Sequence, residues 1–571
     1  MKVLLVHPED SPLGRVWPQS RWDFVIDLGW AGSFAYAEWT RRMGCPVRGF
    51  WSYARGPEDF QQVGEILKPF LGVLVDAQGL DWWEILAPLR IHEMLQLVVV
   101  RHALRDLGPV ELVGTRLHPI ASLFGNVAGQ EVRYIGTGRE SAAGRRWRNL
   151  RTSVRRLSLP QILQVALDKW DTDYRLRSGV TPRRKIAEDG AVLLPSGYEN
   201  VTRILNSYAQ VLPERRFLLV TTRKSGETQR SSKNVDTAPL SAFARSQSSD
   251  ATRREMRSLE EGWKSLARTL EGSEQLAAVN GPEKFRDIGQ SFGQWLRIRD
   301  AWREVLRIER ICAVLCGDEN SPTNRIPVLL AREKGLPTAH CDHGALNALL
   351  SLRSPACGAY VVKGEMERDY MARISRFDGR RIEVGAPAGT VSPARPADRD
   401  TIVFFSEEYE LTQGRSRILY QEILPPLCMI GRSHGKRVIV KLHPFESFSL
   451  RKDLVRAVLS PEDGELVDLV HGSLTPELME TIWFAVTVES SVSVDCAIRG
   501  IPCFLCGWFV TPVAGYGEQF VKYGAAQALQ SPLDIAGIPE MLQGFEVTPE
   551  VQRKLWNPIE AAGLESLLGG S

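Results

Sequence analysis

No stretch of this 571-residue chain reaches the roughly 18 uninterrupted apolar residues that a membrane helix requires. The opening run MKVLLV, Met1 to Val6, is too short for the apolar core of a signal peptide and reads instead as a first buried strand ending at His7-Pro8. A cytoplasmic location is the expectation, with peripheral contact at the inner membrane as a second one. Cysteine is scarce: nine are scattered along the chain, several inside apolar runs such as that holding Cys312 and Cys316. That pattern suits small buried side chains in a reducing compartment, and it excludes a disulfide framework. Cys503-Phe-Leu-Cys506 is the only C-x-x-C and has neither a second pair nor neighbouring histidines, so zinc and redox roles are read against. Charge of one sign is missing too, the net being +3, which excludes a nucleic-acid partner recognised by bulk charge. No repeat of solenoid length is present.

What is present is ordinary globular material, 43% hydrophobic and 24% charged, in a chain long enough for two domains and an inserted subdomain. The small net charge hides a local surplus: from Arg139 to Lys185 there are 13 Lys/Arg against 4 Asp/Glu. Such a stretch (139–185) is either a solvated helical face or a surface for anionic lipid or a polyanionic acceptor.

Short apolar runs alternate with longer amphipathic ones, the pattern of βαβ units around mostly parallel sheets. Strands are expected at Val3 to Val6, Asp23 to Asp27, Val110 to Gly114, Ala191 to Pro195, Phe217 to Thr221, Ile311 to Cys316 and Pro337 to Cys341. A second series runs through Thr401 to Phe405, Arg437 to Leu442, Leu466 to Val470, Phe484 to Glu489 and Pro502 to Cys506. Helical spacing is plain in Trp295 to Ile308 and Asn324 to Lys334. The polar stretch 225–251 reads as a mobile surface loop. Thr390 to Asp400, rich in proline and small residues, separates the two series. The expected architecture is α/β, with two Rossmann-like domains (1–390 and 391–571) facing a central cleft and the last helix packing back on the first domain.

Open parallel sheets bind ligands beyond the carboxyl ends of their strands, where loops and helix N-termini converge. In the second domain, Lys441-Leu-His443-Pro444 closes a strand and offers an ammonium and an imidazole to a phosphate, with Pro444 re-aiming the chain. Glu489-Ser490-Ser491 stands between a strand and a helix, where a serine cap and the positive dipole end suit a phosphate. An ordinary turn and an ordinary N-cap would explain the same residues. Ser406-Glu407-Glu408 ends the first strand of this series, and a carboxylate there either accepts from a ribose or sugar hydroxyl or is simply solvated. In the first domain, Gly317-Asp318-Glu319-Asn320 and Cys341-Asp342-His343-Gly344 end neighbouring strands and supply groups able to take a proton from a hydroxyl. Structural capping is the alternative there. Asp27, before Leu28-Gly29, is placed on the acceptor side, with a tight turn as its alternative. Asp171-Thr-Asp173 matches a metal-binding D-x-D only formally, lying in an Arg-rich helical run, so no metal and no cofactor are expected and the site's own donors would neutralise a leaving phosphate.

The Gly317-Asp318-Glu319, His443-Pro444 and Glu489-Ser490-Ser491 elements resemble the acidic, HP and serine motifs of bacterial sialyltransferases and polysialyltransferases, GT-B enzymes that use CMP-sugars. The HP and serine region is also similar to the Kdo transferases of capsule assembly and to CDP-glycerol glycerophosphotransferases. The resemblance covers roughly 310–510. It implies a base at Asp318 or Glu319, a nucleotide held by His443 and a phosphate held by Ser490 and Ser491. The acidic motif departs from the family's pattern, running Asp-Glu-Asn where a glycine usually follows the acidic pair. His343-Gly344, VVKGEMERDYM and RIEVGAP look like the inter-domain segment of UDP-N-acetylglucosamine 2-epimerase. Together these imply a metal-independent, inverting glycosyltransferase acting on a bacterial surface glycan or lipid-linked acceptor, as in capsule or lipopolysaccharide synthesis, with a CMP-sugar favoured and a UDP-sugar as the other donor. The alternatives are a nucleotide-sugar 2-epimerase and a non-catalytic polysaccharide-assembly protein of the same fold.

Overall fold

The computed structural model describes residues 1–13, 21–30, 32–86, 88, 91–135, 190–223, 226, 232–244, 250–272, 292–344, 346, 355–374, 380–387, 399–407, 416–443, 446–472, 474–509 and 515–569. Three parallel sheets organise them. The first holds β1 (Lys2–Val6), β2 (Phe24–Asp27), β3 (Val47–Gly49), β4 (Glu111–Gly114) and β5 (Arg133–Tyr134) in the order β3-β2-β1-β4-β5. The second holds β6 (Ala191–Ser196), β7 (Phe217–Thr221), β8 (Val235–Pro239), β9 (Ile311–Cys316), β10 (Thr338–Cys341), β11 (Ala359–Val362) and β12 (Arg381–Val384) in the order β12-β11-β10-β9-β6-β7-β8. The third holds β13 (Thr401–Phe405), β14 (Arg437–Lys441), β15 (Val467–Val470), β16 (Ile482–Thr487), β17 (Cys503–Cys506) and β18 (Gln527–Leu529) in the order β15-β14-β13-β16-β17-β18.

Each order grows outward in one direction from its first strand and then restarts on that strand's other side, which is the doubly wound Rossmann arrangement. The α/β class with Rossmann-like sheets therefore holds, and the chain carries one more such sheet than the sequence suggested, because the stretch before residue 390 contains two. Parallel strands covered on both faces need continuous apolar runs. That is why Val3 to Val6, Val192 to Leu194 and Ile402 to Phe404 are all fully buried.

The polar stretch 225–251 is not simply a loop. Within it Val235–Pro239 pairs in parallel with β7, from Phe217↔Val235 to Thr221↔Pro239. Val235 supplies the buried anchor, and the edge position tolerates Asp236, Thr237 and Pro239.

The residues group into two compact units. One comprises Met1–Asp59, Gln96–Ile162 and Val391–Leu555, so the first and third sheets share it. Their cores are continuous: Leu4, Val6, Trp30 and Val113 belong to one buried cluster with Phe404, Leu419, Ile423 and Phe509. Glu422 stitches the two sheets together, its carboxylate accepting from Ser33 Oγ at 3.1 Å, Ala35 N at 3.2 Å and Trp508 Nε1 at 2.7 Å. Gly32 permits this approach, since a Cβ there would lie 2.6 Å from the Trp508 carbonyl oxygen.

The other unit comprises Phe60–Leu95, Leu163–Thr390 and Trp556–Ser571, around the second sheet. Its core includes Val192, Leu205, Leu315 and Val361, joined by Ile559, Leu564 and Leu567 from the end of the chain. The returning segment bonds to the residues after β12, Ala386 N to Asn557 O at 2.6 Å and Ile559 N to Ala386 O at 2.8 Å. Among the described residues no helix is long and apolar enough to cross a membrane. The basic stretch 139–185 and Asp171-Thr-Asp173 lie outside the described residues.

Candidate functional site

In the third sheet the winding reverses between β13 and β16, the position at which doubly wound sheets open a crevice for a ligand. Because β13 pairs with both β14 and β16, the residues that follow all three strands emerge along one edge. Ser406 and Glu407 follow β13, His443 follows β14, and Glu489, Ser490 and Ser491 follow β16.

Two carboxylates fix these loops, Glu446 buried and Glu407 half-buried. Glu446 lies three residues beyond His443; it accepts from His443 N at 2.7 Å, and its own N–H donates to His443 O at 2.9 Å, closing a tight turn. The same carboxylate accepts from Ser406 Oγ at 2.8 Å and from Arg451 Nε at 2.7 Å. Ser406 Oγ also meets Tyr420 Oη at 2.8 Å. Glu407 reaches across to the next tip, accepting from Glu489 N at 2.9 Å and Thr487 Oγ1 at 3.2 Å. Burial raises the pKa of both carboxyls, against the lowering effect of these donors. The His443 imidazole is pushed toward its neutral form, first by burial and then by Lys441 and His471.

The serine tip differs from a strong dipole site. The helix after it, Val492–Ala497, has six residues, and Ser491 at its N-cap makes no side-chain cap bond. Ser490 Oγ instead accepts from Val492 N at 3.4 Å. Serine hydroxyls, rather than a helix macrodipole, are what this tip has to offer an anion.

In the second sheet the winding reverses between β6 and β9. Tyr198 follows β6, Asp318 follows β9 and His343 follows β10, and the three side chains meet. Tyr198 Oη lies 2.8 Å from His343 Nε2 and 3.3 Å from Asp318 Oδ2. His343 Nδ1 sits 2.6 Å from the Gly317 carbonyl oxygen, and Asp318 Oδ1 accepts from Asn320 N at 2.9 Å. Asp318 is 4% exposed, while Tyr198 and His343 are half-buried. Burial and then Asp318 drive the Tyr198 pKa well above the usual phenol value.

Three expected site residues take other roles. Glu319 is fully buried and its carboxylate is filled by Ala356 N, Cys357 N and the Tyr360 hydroxyl, so it anchors the segment before β11 instead of meeting substrate as a base. Lys441 directs its ammonium to the Leu442 and Gly472 carbonyls at 3.0 and 2.7 Å, shaping the strand end rather than facing a phosphate. Asp27 is fully buried, accepting from Gly29 N at 2.9 Å and the Tyr36 hydroxyl at 2.8 Å, so the tight turn and not the acceptor side explains it. Pro444 lies outside the described residues. Sequence reasoning missed Tyr198, Glu446 and Arg451; an acid three residues after His443 is the one signal that could have revealed part of this set.

No family model matches the chain, and no curated protein matches it. Among solved structures it is similar to UDP-GlcNAc 2-epimerase from Methanocaldococcus jannaschii, at TM-score 0.42 and 11% identity over 66% of this chain and 98% of that one. It is also similar to the S. aureus MnaA-UDP co-structure, at TM-score 0.40 and 9% identity over 67% of this chain and 98% of that one. Acinetobacter baumannii MurG overlaps at TM-score 0.38 and 11% identity, over 67% of this chain and 99% of that one. The fold assignment rests on the three strand orders.

Proposed function

We propose that this chain is a glycosyltransferase of the GT-B kind, holding a nucleotide-activated sugar at the edge of its third sheet and transferring the sugar to a hydroxyl of a glycan or lipid-linked acceptor. The observation that carries the reading is the convergence of the His443 and Ser490 loops on either side of Ser406, each braced by a carboxylate from within the site. A bracing carboxylate costs desolvation energy, and it is offset where the loop must hold one geometry for a ligand. His443 and the serine hydroxyls would face the nucleotide phosphate, while Asp318, with His343, would take the acceptor proton. Single displacement by the acceptor oxygen then inverts the anomeric carbon. The motif resemblance favours a CMP-sugar, with a UDP-sugar as the second donor. Glycan or lipid-linked acceptors of capsule or lipopolysaccharide synthesis, and peripheral membrane contact through 139–185, belong to the same proposal.

Calorimetric titration with CMP, UDP, GDP and CDP tests the donor side. One nucleotide should bind clearly, and His443→Ala should weaken it by about 1.5–3 kcal/mol, the scale of a hydrogen bond to a charged group. Asp318→Asn should keep that binding and lose transfer. Incubation with donor sugar alone separates an epimerase, which would release a stereoisomer with no acceptor present. If none of the four nucleotides binds, the reading is wrong.

A further inference from the structure

The hydrogen-bond count around Tyr198 decides more than which residues are near one another. The Gly317 carbonyl can only accept, so its 2.6 Å contact requires a proton on His343 Nδ1. In the neutral ring Nε2 is then a bare acceptor, 2.8 Å from Tyr198 Oη. Tyr198 has one hydroxyl proton and two acceptors in reach, this nitrogen and Asp318 Oδ2 at 3.3 Å. The shorter contact takes the proton, which leaves Asp318 Oδ2 for a donor arriving from outside. Once Nε2 is protonated it must donate to Tyr198 Oη, and the tyrosine hydroxyl turns to Asp318.

We propose that Tyr198 joins Asp318 and His343 into one base, with His343 Nε2 as the resting place of the proton removed from the acceptor. The inference rests on the transfer reading above. As the acceptor oxygen forms its bond to the anomeric carbon, that carbon's bond to the nucleotide phosphate breaks, the phosphate oxygen leaving with the electron pair, and the acceptor's O–H bond breaks with its proton going to Asp318 Oδ2. That proton passes to Tyr198 Oη while the tyrosine proton passes to His343 Nε2. Carboxylate and phenol are regenerated, and the imidazolium holds one proton more, its Nδ1–H still on Gly317. Tyr198 is suited to passing a proton without ionising, since burial and Asp318 together resist its anion.

The charged groups around the cluster are otherwise paired. Asp342 faces the Lys363 ammonium at 3.5 Å, and Glu319 is filled by two backbone N–H groups and Tyr360. Buried Cys316 and His340 are pushed toward their neutral forms. Tyr198 is thus the positioning residue through which Asp318 and His343 act together.

The full chain labelled with 15N-histidine gives the direct test, the His343 signals being those lost in His343→Gln. At neutral pH the wild type should show a protonated Nδ1 and an unprotonated, hydrogen-bonded Nε2, and Tyr198→Phe should return Nε2 to the unbonded value while nucleotide binding persists. In turnover, Tyr198→Phe should lower kcat about 100-fold with donor KM within about twofold. A proton on Nε2 in the wild type, or an unchanged kcat in Tyr198→Phe, overturns the relay. Absence of any transfer would overturn the function proposed above, whereas the tautomer and its response to Tyr198→Phe still decide the relay independently.

Discussion

Glu407 is open in the sequence to a sugar hydroxyl or to solvent, and in the structure its carboxylate takes backbone and side-chain donors from the neighbouring strand end. Its position after β13 puts it at the crevice, but its carboxylate turns to Glu489 N and Thr487 Oγ1 in place of a sugar. Nothing in the local sequence distinguishes these outcomes, because the partner lies 82 residues away. The same arrangement predicts a pH effect. Burial raises the Glu407 pKa above its ordinary 4.5, so the folded chain holds this proton more tightly than the unfolded one. Its contribution to stability is therefore complete below pH 4.5 and is lost as the pH rises through the raised value. Urea unfolding of wild type and Glu407→Gln between pH 4 and pH 7.5 checks this, where each pKa unit corresponds to about 1.4 kcal/mol. The stability difference, wild type minus variant, should fall as pH rises and then level off. A difference independent of pH would remove the case for a raised Glu407 pKa.

Among the elements, the long apolar strands were legible and the short or polar ones were not. Ile311–Cys316 and Phe217–Thr221 have their expected bounds, since four of six and all five positions are continuously buried and leave little choice. β5, with two residues, and β3 and β18, with three, carry no periodicity to read. β8 fails for another reason: VDTAP is an edge strand whose pairing comes from β7, a tertiary cause. The last helix is expected from the sequence to pack back on the first domain, and the returning segment joins the core of the second sheet against Gly385. A Cβ there would lie within 2.5–2.7 Å of the Ile559 side chain, while the Gly385 carbonyl accepts from the Tyr208 hydroxyl at 2.8 Å. Gly385→Ala should therefore cost about 1–3 kcal/mol, the scale of overpacking, and calorimetry should show the melting midpoint falling. Ile559→Ala in the same chain should recover part of the loss by vacating the space. A Gly385→Ala protein as stable as wild type would mean that the returning segment is not packed there.

At the scale of the whole molecule, the sequence marks where the chain changes character near residue 390 but cannot show which segments share a core. One core is assembled from both sides of that point: Trp30 and Phe509 rings lie 5.1 Å apart, Trp508 Nε1 donates to Glu422, and Glu422 also receives the 33–35 backbone and hydroxyl. Such pairings link residues hundreds of positions apart, where no periodicity reaches. The consequence is testable by cutting the chain at the sequence boundary. A fragment beginning at Val391 retains every strand of the third sheet, yet it loses Trp30, whose ring packs on Phe509, and the Ser33 and Ala35 donors to Glu422. It also carries off residues 556–571, which belong to the core of the second sheet. Expressed separately, 1–390 and 391–571 should each show a lowered or non-cooperative thermal transition, with exposed apolar surface detectable by dye binding. Co-expression should restore a complex that melts like the intact chain and binds the same nucleotide. Two fragments that each melt cooperatively and stay apart in solution would show that the shared core contributes little, and Glu422→Ala should then be as stable as wild type instead of losing about 2 kcal/mol or more.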